Sequence, residues 1–195
     1  MPHISRPLFK AYFSLTDAVL FQLGRRTEGL LTRGSGLSPS GANALAKIRQ
    51  AKQTHVKKHM IPLSAVNQPC TRCRGKCCRE SFAFYNSEID YWLSNQSSVS
   101  SDEDFCSKDI GKPISTLSSP ADFLKKPCHF LGSNGCLLQP HHRPGRCIAF
   151  ICDEMLECMN GITTWRVAYR VAILLSHYLQ AAYVMAREKN RKVPA

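Results

Sequence analysis

Two groups of cysteines constrain this chain more than any other feature of its sequence. The first group reads CTRCRGKCC and places four cysteines within nine residues. The second group also has four cysteines, and 49 residues separate it from the first. The eight positions are Cys70, Cys73, Cys77, Cys78, Cys128, Cys136, Cys147 and Cys152. A site built from both groups requires a fold that brings two distant loops together.

The spacing within these groups is typical of metal ligands. A Cys-x2-Cys pair such as Cys70 and Cys73 can direct two sulfurs at one ion, because the intervening turn brings both side chains to one side. Zinc binds four such sulfurs in a tetrahedron, and iron–sulfur clusters use the same ligand at similarly short spacings. Adjacent side chains do not converge easily on one small ion. Cys77 and Cys78 are therefore predicted to serve different centres, unless one of them is a buried spectator.

We predict that all eight cysteines hold one or two metal centres, with zinc and iron, including [4Fe-4S], both left open. Thiolates suit either metal, so the spacing does not choose between them. The alternatives are disulfides or scattered buried thiols. Disulfides are rare in the reducing intracellular environment that we expect for this chain, whereas buried thiols are common. Isolated cysteines such as Cys106 and Cys158 are predicted to be ordinary core residues.

Basic residues near the cysteines are predicted to act on the centre indirectly. Arg74 and Lys76 lie within the first group, and Arg143 lies within the second. Positive side chains offset thiolate charge and can donate hydrogen bonds to sulfur. His141 and His142 are interpreted as solvated loop residues, because eight cysteines leave no need for a histidine ligand.

The combined motif resembles the YkgJ-type cysteine-cluster family, also described as a CxxCxxCC zinc- or iron-chelating domain. The resemblance rests on CTRCRGKCC together with PCHFLGSNGCLLQPHHRPGRCIAFIC and covers about residues 70–152. It implies that the eight cysteines are ligands, and it implies no particular reaction. Two positions depart from the family pattern: Ile148 stands where an arginine usually follows the cysteine, and His129 stands where proline is common.

Two alternative functions remain open at this point. A related cysteine block is similar to part of the flagellin lysine methylases, which suggests an iron–sulfur-dependent redox or protein-modifying enzyme. The chain offers no glycine-rich strand–turn–helix segment for a nucleoside, which weakens that hypothesis. The second alternative is a metal-stabilised module that binds nucleic acid or an acidic protein.

The charge distribution motivates this second alternative. The chain has a net charge of +12, and residues 1–79 carry all of the excess, with 14 Lys and Arg against Asp17 and Glu28. Such an asymmetry indicates an anionic partner, namely nucleic acid, a membrane surface or an acidic protein. A basic face that only contacts solvent is the competing interpretation.

Apolar spacing predicts a mainly α fold, a small helical domain with two irregular cysteine-rich metal-binding loops. Residues 1–62 form a basic helical N-terminal region, and residues 63–190 form the cysteine-cluster domain, including the C-terminal core helix. Three long helices are predicted: Pro7 to Leu23, ending at Gly24; roughly Ala42 to Met60; and Ile162 to Lys189. A short helix begins at Ser87, and residues 32–41 are a linker by composition.

Two of these helices are assigned faces. On the first, the predicted packing stripe comprises Leu8, Tyr12, Leu15 and Val19. On the second, the apolar side comprises Leu45, Ile48, Val56 and Met60. Basic residues are predicted elsewhere on the second helix, with His55 and His59 extending its cationic surface; these residues are Lys47, Arg49, Lys52, Lys57 and Lys58. Charged and polar residues interrupt both long apolar stretches, so we expect no transmembrane segment and a cytoplasmic protein.

Overall fold

The computed structural model describes residues 6–27, 29–30, 36–60, 87–94, 128, 130–132, 135–136, 138, 140–149 and 164–191. Several predicted site residues lie outside these ranges: Cys70, Cys73, Arg74, Lys76, Cys77, Cys78 and Cys152. Cys106, His129 and Cys158 also lie outside them.

The described residues are mainly helical, which confirms the predicted fold class for this part of the chain. The helices are α1 (Arg6–Thr27), α2 (Pro39–His55), α3 (Ser87–Ser94), α4 (Gly145–Ala149) and α5 (Thr164–Arg191). A π-helical turn, Val56–Met60, continues α2. Two short antiparallel strands, β1 (Leu131–Gly132) and β2 (Gly135–Cys136), and a 3₁₀ turn, Pro140–His142, lie in the second cysteine loop.

Helix α5 is the centre of the core. Helices α1 and α2 pack along it, and α3, α4 and the π-helical turn also contact it. Buried hydrophobic residues recur along it every three or four positions, as expected of a helix buried along one face. These residues are Val167, Val171, Leu174, Leu175, Tyr178, Ala181, Ala182 and Met185. The predicted helix from Ile162 to Lys189 is thus confirmed with its ends shifted by two residues.

In the part of α1 with described side chains, which excludes Leu8 and Tyr12, the helix packs through a different face from the predicted one. Leu15 and Val19 are 68% and 43% exposed, whereas Leu20 is 1% exposed and Thr27 is fully buried. The helix also continues through Gly24 instead of ending there. It ends where Gly29 adopts a φ of 81° and Leu30 donates from its backbone N–H to the Thr27 carbonyl. Apolar residues occur all round α1, so periodicity alone could not choose the face.

Helix α2 begins at Pro39, three residues earlier than predicted, so it includes the end of the predicted linker. The Ser38 hydroxyl accepts a hydrogen bond from the Gly41 N–H at 3.1 Å, and Pro39 occupies the first turn, as is usual for a capped helix. Glu188 of α5 accepts from the Ser38 N–H at 2.8 Å. Gly41 permits this approach, because a Cβ there would lie 2.6 Å from Glu188 Cδ. The serine, proline and glycine therefore start a helix against α5.

One hydrophobic cluster joins residues from both of the predicted regions. Leu20, Leu30, Leu45 and Val56 of the N-terminal region belong to the same cluster as the inward side of α5. The predicted apolar side of α2 is confirmed, since Leu45, Val56 and Met60 are buried and Ile48 packs against the cluster. Among the described helices, none has the length and apolar character needed to span a bilayer.

Candidate metal centre

The second cysteine loop has regular local structure around three of its four cysteines. Cys128 accepts at its carbonyl from the Leu131 N–H at 3.0 Å, just before β1. Cys136 lies in β2, where it pairs with Leu131. Cys147 lies within α4 and donates from its N–H to the Pro144 carbonyl at 2.9 Å. Cys128 and Cys147 are half-buried, and neither is in a disulfide, so both side chains retain thiol chemistry.

Side chains from α2 and α3 hold the backbone of this loop. The Lys52 ammonium donates to the carbonyls of His141 and Arg143, each at 3.0 Å. The Ser94 hydroxyl donates to the same Arg143 carbonyl at 3.3 Å, and the Asp90 carboxylate accepts from the Gly145 N–H at 3.0 Å. Buried backbone groups need such partners, because leaving one without a hydrogen bond costs about 1–3 kcal/mol. The position of α4 and Cys147 is therefore set from outside the loop.

Arg143 is buried and holds the loop from within. Its side chain is 5% exposed, and its Nε donates to the Leu138 carbonyl at 3.0 Å. This bond closes the chain between the β2 end of the loop and the 3₁₀ turn. The predicted action of Arg143 on a thiolate centre stays a prediction.

Lys52 is the residue that the sequence interpretation misplaced. It was predicted to lie away from the apolar side of α2, but it is fully buried. Lys52 follows Leu45 by seven residues and precedes Val56 by four, spacings that place all three on one helix face. Burial lowers the pKa of Lys52 to about 8, while the charges of Asp90 and Cys147 oppose that shift. A lysine inside an apolar stripe was the signal available in the sequence.

Helix α3 is oriented by the two acidic residues of its first turn. Glu88 is buried and accepts from the Gly29 N–H at 2.7 Å, which attaches α3 to the turn after α1. The Asp90 carboxylate accepts a hydrogen bond from the backbone N–H of Gly145 in α4. Trp92 lies under the Arg49 guanidinium, with 5.6 Å between the guanidinium carbon and the ring centroid. Helix α3 thus connects the N-terminal helices to the loop that carries Cys147.

His142 is buried and not a solvated loop residue, contrary to prediction, whereas His141 is half-buried. Their ring centroids are 4.1 Å apart, and His142 is 6% exposed. Burial lowers the pKa of His141 to about 3, helped by the neighbouring His142 and by Lys57 and Lys52. Burial likewise lowers the pKa of His142 to about 4, helped by Lys52 and Lys57. Both imidazoles are therefore neutral at pH 7 and can donate or accept hydrogen bonds.

A second histidine group lies between α2 and α5. The His55 ring is 5.3 Å from the His59 ring and 6.0 Å from the His177 ring, measured between centroids. His55 donates from Nε2 to the Arg170 carbonyl at 2.9 Å, and burial is the main cause of its lowered pKa. The prediction that His55 extends a cationic surface is therefore wrong, although His59 is exposed as expected. Within the described residues, Nδ1 of His177 is buried without a hydrogen-bond partner.

Exposed basic residues occupy the outer sides of α1 and α2. Arg25 and Arg26 of α1 are exposed, as are Lys47, Lys57 and Lys58 of α2 and its π-helical turn. This distribution fits both an anionic partner and a solvated basic surface. The partner therefore stays a prediction.

The described parts of the chain on either side of residues 61–86 both reach the second cysteine loop. The π-helical turn Val56–Met60, which precedes that segment, packs against the 3₁₀ turn Pro140–His142. Helix α3, which follows the segment, packs against the same 3₁₀ turn and bonds to residues 143 and 145. The segment that carries the first cysteine group therefore starts and ends beside the loop that carries Cys147.

Within the described ranges, no three side chains of Cys, His, Asp or Glu are arranged to hold a metal ion. Only Cys128 and Cys147 of the eight predicted ligands have described side chains. No protein-family model, curated protein or solved structure matches this chain. The resemblance to the YkgJ-type family therefore stays a prediction from the cysteine motifs.

Proposed function

We propose that this protein binds zinc, or iron as a mononuclear or [4Fe-4S] centre, through both of its cysteine groups. The proposal rests on one observation, that Met60 and Ser87 both belong to elements packed on the 3₁₀ turn of the second loop. The 26 residues between them contain Cys70, Cys73, Cys77 and Cys78. The segment that carries the first cysteine group is therefore joined at both ends to elements that pack on the second loop.

Chain length supports a meeting of the two groups. Cys70 is ten residues beyond Met60, and Cys78 is nine residues before Ser87. A chain extends by at most about 3.5 Å per residue, so these lengths reach about 30–35 Å. This distance is about twice the radius of gyration of a compact domain of this size, which is roughly 16 Å. The first cysteine group is thus within reach of Cys128, Cys147 and the α4 end of the loop.

The electrostatic surroundings of the second loop also suit thiolates. Lys52 is buried beneath it, and Arg143 is buried within it. Arg49 and Lys57 are close enough to influence the pKa of His142. Positive charge stabilises the thiolate form of cysteine, which is the form that binds a metal. Four thiolates around a divalent ion leave a net charge of −2, which these cations would offset.

The experiment is a metal analysis of anaerobically purified protein together with its absorption spectrum. We expect stoichiometric zinc with no visible absorption, or iron with the broad charge-transfer absorption of sulfur ligation. Cys147→Ser and Cys70→Ser should each lower the bound metal. They should also lower the helical signal, because metal that joins distant segments stabilises the fold.

Cys106→Ser and Cys158→Ser are the matched controls, since they remove a thiol outside the proposed ligand set. They should retain the full metal content. Metal-free wild-type protein, or full metal content in both Cys70→Ser and Cys147→Ser, would contradict the proposed function.

A further inference from the structure

We infer that the outer side of α2 is a recognition surface for the major groove of duplex DNA. This inference assigns a partner to the protein, and it holds whichever metal the cysteines bind. The surface consists of exposed side chains that recur every three or four residues along α2 and its π-helical turn. These residues, which form the polar face of α2, are Ser40, Asn43, Lys47, Gln50, Ala51, Thr54 and Lys58.

The first argument is the sign of the exposed charge. Glu88, Asp90 and Glu188 are the acidic residues with described side chains, and all three are buried. Each accepts a hydrogen bond from a backbone N–H group of another segment. Among the side chains that the structure describes, every exposed charge is therefore positive. Such a surface attracts a polyanion, because its charges add instead of cancelling.

The second argument is the composition of α2 itself. Residues 39–60 contain five lysine and arginine residues and no acidic residue. Opposite charges four residues apart stabilise a surface helix, and most protein surfaces mix the two signs. The helix dipole favours Lys57 and Lys58 near the C-terminal end, but it does not account for Lys47 in the middle. An anionic partner accounts for all three.

The polar face has the chemistry of a nucleic-acid contact and lacks that of other anionic partners. A helix on a membrane surface inserts large apolar side chains, and a protein interface is usually centred on aromatic or arginine anchors. Single-stranded nucleic acid stacks its bases on aromatic side chains. The large apolar and aromatic side chains that are exposed in the described structure lie on α1 and α5, not on α2.

The residue types of the polar face favour duplex DNA in particular. Asn and Gln pair with adenine in the major groove, Lys with guanine, Ser and Thr with several bases, and Ala contacts the thymine methyl group. Most of these side chains are short, so the helix can approach the base edges closely. The major groove of B-DNA is about 12 Å wide and admits an α-helix, whereas that of duplex RNA is too narrow.

The test is fluorescence anisotropy of the full chain, as purified, with a labelled DNA duplex of mixed sequence. Binding should fall in the micromolar range, about 1–100 μM, and should weaken steeply as salt rises. The matching single strand and a duplex RNA of the same length should bind about tenfold or more weakly.

Lysine variants test the charge of the polar face. Lys47→Gln and Lys58→Gln should each weaken binding about threefold to tenfold, because each removes one contact to a phosphate or a base. A lost phosphate contact also lowers the slope of log Kd against log salt by about 1. Arg187→Gln is the matched control, since it removes an exposed cation of α5 and should remain within about twofold of wild type.

A variant without charge change tests entry into the groove. Ala51→Trp places an indole on the polar face, so it should hold the helix out of the groove and weaken binding about tenfold or more. Ala11→Trp makes the same change at an exposed position of α1 and should bind as wild type does. Circular dichroism verifies that each variant is folded.

Four results would overturn the inference. Binding weaker than about 10⁻⁴ M at low salt would leave the polar face as a solvated surface. Tighter binding to single strands, duplex RNA or anionic vesicles would assign another partner. Equal weakening by Lys47→Gln and Arg187→Gln would show attraction by net charge alone. Wild-type binding by Ala51→Trp would exclude the groove. Metal analysis of the same preparations keeps these results separate from the proposed function.

Discussion

Around α5, apolar side chains pack on other apolar side chains, whereas at residues 138–147 polar side chains of α2, α3 and the loop itself bond to the loop backbone. The α5 core is built from residues such as Leu174 and Val171, which are fully buried. The loop is held by Lys52, Asp90 and Ser94, each through hydrogen bonds to backbone atoms. Apolar packing tolerates substitutions that conserve volume, but a polar anchor fails when either partner is lost.

The apolar core therefore contributes mainly to the stability of the fold, whereas the polar anchors of the loop mainly position its residues. The core supplies free energy that grows with the apolar area buried. The loop anchors decide where Cys147 lies, at a cost in desolvation that apolar residues would not incur. A fold selected only for stability would place leucine or methionine at position 52.

Leu174→Ala removes apolar packing from the centre of the core. Leu174 is fully buried in α5, so we expect its truncation to lower the free energy of unfolding by about 2–5 kcal/mol. Urea denaturation followed by circular dichroism measures the change. Leu15→Ala serves as control, because that side chain is 68% exposed and should change stability by less than about 0.5 kcal/mol. Equal effects from the two variants would mean that α5 is not the centre of the core.

Gly145→Ala adds a methyl group where the second cysteine loop packs on the core. A Cβ at position 145 would clash with Cζ of Tyr178, a fully buried ring of α5. The clash should lower the free energy of unfolding by about 1–3 kcal/mol, the usual cost of overpacking. Gly36→Ala is the matched control, since nothing lies within 4 Å of its added Cβ. A fully tolerated alanine at 145 would show that α4 does not rest on α5.

Acid should weaken the loop more than the core. In the folded protein, His141 and His142 have pKa values of about 3 and about 4, below the ordinary 6.5. As the pH falls below 6.5 the unfolded chain binds protons first, so stability that is full above pH 6.5 is lost towards pH 4. We expect a loss on the order of 2 kcal/mol, counting a fraction of the full shift because solvent screens part of it.

Urea midpoints at pH 7 and pH 5 measure this dependence. His142→Asn should reduce the difference between the two midpoints, because one buried imidazole no longer resists protonation. His59→Asn, at an exposed position of the π-helical turn, should change the difference less than His142→Asn does. A pH dependence that is identical in all three proteins would contradict the assignment to the loop histidines.

Ser38→Ala tests a polar contact at the edge of the core. The Ser38 hydroxyl caps α2, so its removal should lower the free energy of unfolding by about 1 kcal/mol. The Ser38 N–H keeps its bond to Glu188, which limits the effect. Thermal unfolding compared with Ser40→Ala, an exposed neighbour, measures it. A larger loss than from Gly145→Ala would reverse the order proposed here.

Regular spacing in the sequence predicted those helices whose apolar residues occupy one side. The stripe from Leu45 to Met60 on α2 is buried as predicted, and the extent of α5 was predicted within two residues of each end. The face of α1 was not predictable in this way. Its apolar residues surround the helix, so contact with α5 decided that Leu20 is buried and Leu15 exposed.

Sequence patterns were equally unable to predict the surroundings of side chains in the candidate site. The cysteine spacing predicted the ligand set, but it could not indicate that Lys52 donates to the carbonyls of His141 and Arg143 in the loop that carries Cys147. His142 is similar: a histidine in a proline-flanked loop is most often solvated, and only the elements packed on that loop exclude water from it. Burial of a polar residue depends on neighbours that are distant in sequence, and local patterns carry no record of them.

The amino-acid sequence is enough to define the two cysteine groups, the helical periods and the excess of positive charge in residues 1–79. Those properties follow from residue type and spacing, which act over a few residues. The packing of distant segments, in contrast, determines that Lys52, Asp90 and Ser94 converge on residues 141–145. It also determines that the chain reaches this loop on both sides of residues 61–86. The reason is that a buried charge is tolerated only where distant segments supply its partners, and the packing of α2 and α3 beside the loop arranges those segments.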